Sequence, residues 1–199
     1  MIGIITGDII NSKTSDPKIW LDALKSILNS YGNEPEQWEI FRGDSFQLEV
    51  KPEEALEAAI LIKATIKQFK KIDIRLAIGL GEKSYSSKKI TEANGTAFVN
   101  SGECFEDLKK TTLAIKSNFK SFDTKMNIMF ELILLTINNW TTTSAKLIKT
   151  ALENPEFNQA QLATLFGTTQ GNISKGLKRG GFDEVLKLLQ YYKTQIQAL

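Results

Sequence analysis

Residues 158–179 read NQAQLATLFGTTQGNISKGLKR, and this stretch decides the fold expected for the C-terminal part of the chain. Two short helices that cross at a steep angle need a small residue where they touch, and Ala163 occupies that position. Gly167 then supplies the turn between them. Ile173 and Leu177 lie four residues apart, which places both on one buried face of the second helix. The pattern predicts a helix-turn-helix motif.

The second helix of this motif would leave a polar and basic face open to a DNA major groove. The residues expected to contact duplex DNA are Thr169, Gln170, Asn172, Ser174, Lys175, Lys178 and Arg179. Residues 158–181 contain three cations and no acidic residue, which favours a nucleic-acid partner. A plain helical hairpin at the end of a domain would show the same apolar spacing, and that alternative stays open.

The composition predicts a globular protein with two parts of different charge. Residues 1–124 carry 17 cations and 18 anions, whereas residues 125–199 carry 8 cations and 5 anions. We therefore expect a near-neutral domain over 1–120 and a mildly basic helical domain over 121–199. Cys104 is the only cysteine and the first residues lack signal-peptide features, so we expect a cytoplasmic protein without a membrane span. The absence of histidine excludes His-based triads and His metal sites.

Apolar runs and turn residues in the first part predict the element order β-α-β-β-α-β-α-β. The predicted strands cover residues 2–5, 38–41, 46–50, 72–80 and 112–115, and the predicted helices cover 17–32, 52–69 and 95–110. A β-α-β-β-α-β core is the ferredoxin-like arrangement, an α+β fold with an antiparallel sheet and helices on one face.

The rest of the chain is predicted to be helical, with a supporting helix over 141–152 and a closing helix over 182–197. The apolar helix at 126–137 needs cover on two sides. We expect a linker helix packed between the two domains, with a dimer helix as the alternative.

Two carboxylates differ from ordinary surface acids in their surroundings. Asp8 follows the first strand and Asp44 lies at the tip of a hairpin, and these elements are neighbours at the centre of such a sheet. The pair suits Mg²⁺, which binds one or two carboxylates together with phosphate oxygens. Gly7 and Gly43 would let a phosphate approach the backbone. A local role, as turn caps or as partners of Arg42, explains the same acids and stays open.

Four segments in order resemble parts of class III nucleotide cyclases. GDIINS at 7–12 and RGDSF at 42–46 look like the two metal-binding segments. RLAIGLG at 75–81 is similar to the cyclase strand that runs into a glycine turn, and residues 95–108 are similar to the helix that carries Val-Asn and catalytic polar residues.

Together with the C-terminal helix-turn-helix, nearly the whole chain resembles the SatD family of bacterial proteins, whose members share a GDIINSR-like start and an RGDSFQ-like hairpin. The resemblance implies a cytoplasmic two-domain protein with a regulatory role. It implies metal binding by Asp8 and Asp44, and nucleotide binding by Ile9, Ile10, Asn11, Ser12, Arg42 and Asn100.

The cyclase pattern is broken at its charge-stabilising position. Asn100 is followed four residues later by Cys104, where the cyclase helix has an arginine. A thiol cannot supply that charge, and its loss typically costs about 2–4 kcal/mol of transition-state stabilisation. We therefore expect a DNA-binding regulator whose degenerate cyclase-like domain senses a nucleotide or mediates self-association in a homodimer. The alternative is a metal-dependent enzyme acting on a nucleotide or phosphate ester, with a helical partner-binding module.

Overall fold

The computed structural model describes residues 1–14 and 16–199, and over these residues the chain forms one five-stranded sheet and eight α-helices. The strands are β1 (Ile2–Ile10), β2 (Trp38–Phe41), β3 (Ser45–Val50), β4 (Asp73–Gly81) and β5 (Leu113–Lys116). The helices are α1 (Pro17–Asn29), α2 (Ala55–Ile66), α3 (Thr96–Asp107), α4 (Lys120–Ile137), α5 (Thr142–Glu153), α6 (Gln159–Phe166), α7 (Gln170–Gly180) and α8 (Phe182–Gln197). The predicted α+β class and the predicted order of elements are confirmed. None of the helices in the described ranges has the length and apolar character needed to cross a membrane.

The sheet has the strand order β2-β3-β1-β4-β5, with β1 at its centre. The first four strands pair antiparallel, as predicted, but β5 pairs parallel to β4. The prediction of a wholly antiparallel sheet is therefore wrong at this edge. The reason is the connection, because α3 carries the chain from β4 back to the start of β5, and such a crossover makes two strands parallel.

Helices cover both faces of the sheet, not one as the sequence predicted. Successive residues of a strand point to opposite faces. Ile5 of β1 belongs to the large core that includes α1 and α2, whereas Ile4 packs against Phe98 of α3. The sheet is therefore buried between α1 and α2 on one side and α3 on the other.

Strand β1 is longer than predicted, because Gly7 and Asp8 continue the strand and do not end it. Gly7 lies opposite Phe46 on β3 and Leu76 on β4. A Cβ atom on Gly7 would overlap the ring of Phe46. The glycine is therefore needed for close packing within the sheet and not for a turn.

The glycines of RLAIGLG also lie inside a strand, where the resemblance predicted a turn. Gly79 and Gly81 of β4 face α3, and a Cβ atom on Gly79 would overlap the backbone of Ala97 and Ser101. Helix α3 therefore lies directly on the backbone of the sheet. Close approach of two backbones is a known reason for glycine in a strand.

One continuous hydrophobic core includes residues from both predicted domains. It contains Ile5 of the sheet, Phe130 of α4 and Tyr192 of α8. The predicted boundary at 117–125 contains the short loop between β5 and α4, but the core does not divide there. Helix α4 packs against both β5 and α8.

A buried polar network joins α2, β4 and the end of α4. Lys63 is 1% exposed, and its Nζ donates to the Asp73 carboxylate at 2.8 Å and to the Thr112 hydroxyl at 3.1 Å. Lys67 donates to the other Asp73 oxygen at 3.0 Å and to the Asn138 carbonyl at 2.9 Å. Burial lowers the pKa of Lys63 to about 8, against the opposing attraction of Asp73. Burial by itself would raise the pKa of Asp73, but the two lysines outweigh it and lower that pKa.

Candidate nucleic-acid interface and acidic end of the sheet

Helices α6 and α7 begin and end where local sequence signals place them. The Asn158 side chain accepts from the amide of Gln161, and the Gln161 side chain accepts from the amide of Asn158, which forms a capping box at the start of α6. Gly167 ends α6 in the left-handed conformation, with φ of 60°. The Thr169 hydroxyl then accepts from the amide of Asn172 at 3.2 Å and caps α7.

The contact between the two helices uses the residues that the sequence pattern assigned to it. Ala163 of α6 and Ile173 and Leu177 of α7 are all buried. Two glycines on the same side, Gly176 and Gly180, let α7 lie close to the side chains of α5. The indole nitrogen of Trp140 donates to the carbonyl of Gly180 at 2.8 Å and fixes the end of α7. The buried face of α7 therefore packs against α5 and α6.

All seven predicted DNA-contacting residues are exposed. They are Thr169, Gln170, Asn172, Ser174, Lys175, Lys178 and Arg179. In the part of the chain that the structure describes, none of the three cations forms a salt bridge. Two of the seven side chains form hydrogen bonds at the start of α7. The Thr169 hydroxyl caps the helix, and the Asn172 side chain donates to Thr168 at 3.0 Å.

The seven residues surround α7 on three sides. Lys175 lies opposite the buried stripe and faces outward. Ser174 and Lys178 also line a cleft of about 900 Å³ between α6, α7 and α8. Asn172 and Arg179 line a smaller cavity of about 410 Å³ on the α5 side. A duplex seated on Lys175 would therefore have one pair of polar side chains on each flank.

At the other candidate site, Asp8 lies on the α3 face of the sheet between two neighbouring strands. It lies opposite Ser45 on β3 and Arg75 on β4. The Ser45 hydroxyl donates to one Asp8 oxygen at 3.1 Å, and the Arg75 guanidinium donates to the other at 2.8 Å. The guanidinium carbon also lies 5.3 Å from the ring centroid of Phe105 in α3. Arg75 is a site residue that the sequence pattern did not indicate, because only strand pairing brings it to Asp8.

Asp44 lies at the same end of the sheet as Asp8, as predicted. The Ser12 hydroxyl donates to an Asp44 carboxylate oxygen at 2.6 Å. The amide of Ile9 donates to the Asp44 carbonyl at 3.1 Å, so this amide is not free to bind a phosphate. Arg42 is exposed and forms no salt bridge with described residues. The alternative that these acids pair with Arg42 therefore has no support, and Arg75 takes that place at Asp8.

The other predicted nucleotide-binding residues at the end of β1 differ in their exposure to solvent. The Ile9 side chain is buried in the main core, and Ile10 is half-buried at the end of β1. Asn11 is exposed in the left-handed conformation, with φ of 63°, and its side chain donates to the Lys71 carbonyl at 3.2 Å. Within this segment, the Ser12 hydroxyl contacts the acidic pair directly, whereas the Asn11 side chain is directed to Lys71.

The acidic pair does not form a ready magnesium site in this arrangement. Both oxygens of Asp8 accept hydrogen bonds, and a guanidinium already neutralises its charge. Across the described ranges, no three His, Cys, Asp or Glu side chains lie together in a way that could hold a metal ion. Mg²⁺ at Asp8 and Asp44 stays a prediction that requires Arg75 to leave Asp8.

Asn100 lies far from this end of the sheet, so it is not part of the candidate site. It is buried, and its side-chain amide donates to the carbonyl of Leu80 at 2.8 Å. Leu80 is five residues beyond Arg75 along β4, a separation of about 17 Å. The helix position that resembled a catalytic asparagine therefore serves to attach α3 to the sheet.

Cys104 contributes no charge where the cyclase helix has an arginine. It is buried against Ala77 and Leu108. Burial raises the pKa of its thiol to about 12, so the thiol stays neutral at physiological pH.

Comparison with known protein families identifies a match over nearly the whole chain. The sequence matches the model of the SatD family over residues 1–198. A search of curated proteins gives no match.

Proposed function

The chain belongs to the SatD family, and we propose on that premise that it is a DNA-binding regulator. In this proposal α7 enters a major groove of duplex DNA while α6 supports it, as in a helix-turn-helix protein. The observation that carries the proposal is the exposed, acid-free surface of α7, on which Lys175, Lys178 and Arg179 have no ion-pair partner among described residues. Unpaired cations on one helix are the electrostatic basis of phosphate binding.

The sheet part of the protein is proposed to sense a nucleotide or to mediate self-association. Asp8, Asp44 and Arg75 give one end of the sheet both acidic and basic groups beside hydroxyl donors. A nucleotide phosphate would compete with Asp8 for the Arg75 guanidinium, because both are anions. Release of Asp8 would then make its carboxylate available to a cation.

The test of DNA binding is selection of bound duplexes from a random pool, followed by titration of the enriched duplex at several salt concentrations. We expect log Kobs to fall linearly with log salt. Lys175→Ala and Lys178→Ala should each reduce the slope by about one unit. Lys110→Ala, an exposed lysine outside α7, is the matched control and should leave the slope unchanged. No enrichment and no duplex binding at low salt would reject the proposal.

A second candidate function is a metal-dependent enzyme acting on a nucleotide or phosphate ester, with the helical part as a partner-binding module. The observation in its favour is that Asp8 and Asp44 lie at the same sheet end, next to the hydroxyls of Ser45 and Ser12. Its test is a thermal-shift scan of nucleotides with and without Mg²⁺, with Asp8→Ala as the control. A shift in the wild type that the variant loses would support nucleotide binding at this end. No shift with any nucleotide would reject the nucleotide sensor and an enzyme that acts on nucleotides.

A further inference from the structure

Helix α4 leaves an apolar stripe exposed on the side away from the core. Ile128, Leu132 and Leu135 are 55%, 63% and 72% exposed. Their spacing of four and three residues puts them on one face. Scattered exposed apolar residues are common, but a contiguous stripe on one helix indicates a contact surface.

We propose that this stripe is the interface between two copies of the chain, which pack α4 against α4 in an antiparallel pair. The proposal goes beyond the proposed function, since it assigns a specific dimer surface in the helical part of the protein. It does not depend on DNA binding. A two-fold interface must be complementary to itself, and α4 meets this requirement in its charge pattern.

The charge pattern of α4 selects the position of the two-fold axis. Lys125 lies three residues before Ile128, and Glu131 lies three residues after it. In an antiparallel pair with its axis at Ile128, Lys125 of one copy therefore faces Glu131 of the other, twice. Both side chains are exposed, and neither forms a salt bridge within the described part of its own chain.

The apolar residues fit the same axis. Ile128 meets its own copy at the centre. Leu135 lies opposite Ser121 of the second copy. Leu132 lies opposite Thr124, whose methyl group gives it an apolar contact. Ile128 and Leu132 therefore each gain an apolar contact in the dimer.

The size of the surface sets the expected strength. A standard stable interface buries about 800 Å² on each partner, which is more than a few side chains on one helix can supply. We therefore expect a reversible dimer whose population rises with protein concentration. The indole of Trp140, just after α4, donates a hydrogen bond to the end of α7. The dimer would therefore hold its two α7 helices in fixed positions relative to the α4 interface. Paired recognition helices are the usual way in which helix-turn-helix proteins read two half-sites.

The first test is sedimentation equilibrium of the full chain without DNA, over a wide range of protein concentration. We expect the wild type to approach twice the monomer mass of 22.3 kDa, and Leu132→Glu to remain a monomer. The matched control is Leu165→Glu on α6, since Leu165 is 60% exposed and lies outside the stripe. A wild type that stays monomeric, or a Leu132→Glu variant that still dimerises, would overturn the proposal. DNA binding by the monomer could persist in either case, so the two proposals can fail separately.

The second test fixes the axis by disulfide cross-linking. The only native cysteine, Cys104, is buried with a raised thiol pKa, so it does not compete. Ile128→Cys should cross-link the dimer under mild oxidation, since the two residues meet at the axis. Asn139→Cys, on the exposed side just after α4, should not, because an axis at Ile128 separates the two copies of that position by about 33 Å. Cross-linking at 139 but not at 128 would overturn this arrangement.

Charge reversal at the proposed interface gives a third test. Glu131→Lys should weaken the dimer by bringing like charges together, and Lys125→Glu in addition should restore it. Circular dichroism and thermal melting of each variant distinguish a lost interface from a lost fold. Failure of the double variant to recover, with its fold intact, would overturn the proposed pairing of charges.

Discussion

The hydroxyl of Tyr192 in α8 donates a hydrogen bond to the carbonyl oxygen of Pro52, 2.8 Å away and 140 residues earlier. Beside it, Lys193 forms a salt bridge of 2.7 Å with Glu57 of α2. Burial raises the pKa of Tyr192 well above its usual range, so the hydroxyl keeps its proton. The last helix is thus attached to the segment that starts α2, which couples the C-terminal helices to the sheet-containing part of the chain.

Tyr192→Phe should lower the free energy of unfolding by about 1 kcal/mol, because the Pro52 carbonyl loses one of its two donors. Tyr191→Phe is the matched control, since this neighbouring tyrosine is half-buried and its hydroxyl has no hydrogen bond to a described residue. The measurement is urea unfolding followed by circular dichroism and by tryptophan fluorescence. Two separate transitions in the wild type would contradict a shared core.

Lys63 should make stability rise with pH between about pH 8 and 10.5. Its pKa is about 8 in the folded chain and 10.5 in the unfolded chain, so the unfolded chain binds more protons in this window. The free energy of unfolding therefore increases with pH there. Tyr31 and Tyr192, whose pKa values burial raises, act in the opposite direction above about pH 10.

The measurement is urea unfolding at pH 8, 9 and 10 for the wild type and for Lys63→Met. The variant should lose this contribution to the slope, whereas replacement of the exposed Lys110 by methionine should keep it. Equal slopes in all three proteins would show that Lys63 does not titrate as its burial requires.

Gly79→Ala should destabilise the fold by about 1–3 kcal/mol or more, because the added methyl group would overlap the backbone of α3 and force the helix away from β4. Gly102→Ala is the control on α3 itself. No atom of the described residues lies within 4 Å of its added Cβ, and alanine favours the helix by about 1 kcal/mol. Thermal melting should move in opposite directions for the two variants. Similar melting temperatures would mean that α3 adapts to the added methyl group.

Gly171→Ala should stabilise the protein by up to about 1 kcal/mol, since the position is open and lies in the first turn of α7. Gly176→Ala in the same helix should not, because its Cβ would lie 2.7 Å from a methyl carbon of Leu147 in α5. Chemical unfolding of both variants measures the difference. A gain in stability at both positions would mean that α5 does not press on α7 as closely as the structure indicates.

The helices of the C-terminal part follow from local signals in the sequence. The closing helix was predicted over 182–197 and is observed as Phe182–Gln197. The start of α6 at Asn158 and its end at Gly167 depend on residues within one turn. Capping and turn formation are short-range effects, so the sequence contains the information needed to predict them.

The contacts at the sheet ends did not follow from the sequence, because they depend on strand register and on which face is covered. Arg75 reaches Asp8 only through the pairing of β1 with β4. Lys63 lies in an apolar helix, and nothing in its neighbourhood along the chain indicates that Asp73 and Thr112 surround its charge. Asn100 matched a catalytic position by spacing, yet the close packing of α3 turns its amide toward Leu80.

The sequence by itself determined the order of strands and helices, the α+β class and the exposed basic surface of α7. These depend on periodicity, caps and turns, which act over a few residues. Only the tertiary structure decided that β5 is parallel, that α3 covers the second face, that Asp8 is neutralised by Arg75 and that one face of α4 stays exposed. Each of these depends on residues distant in sequence that meet through sheet pairing or helix packing, and local preferences do not fix which residues meet.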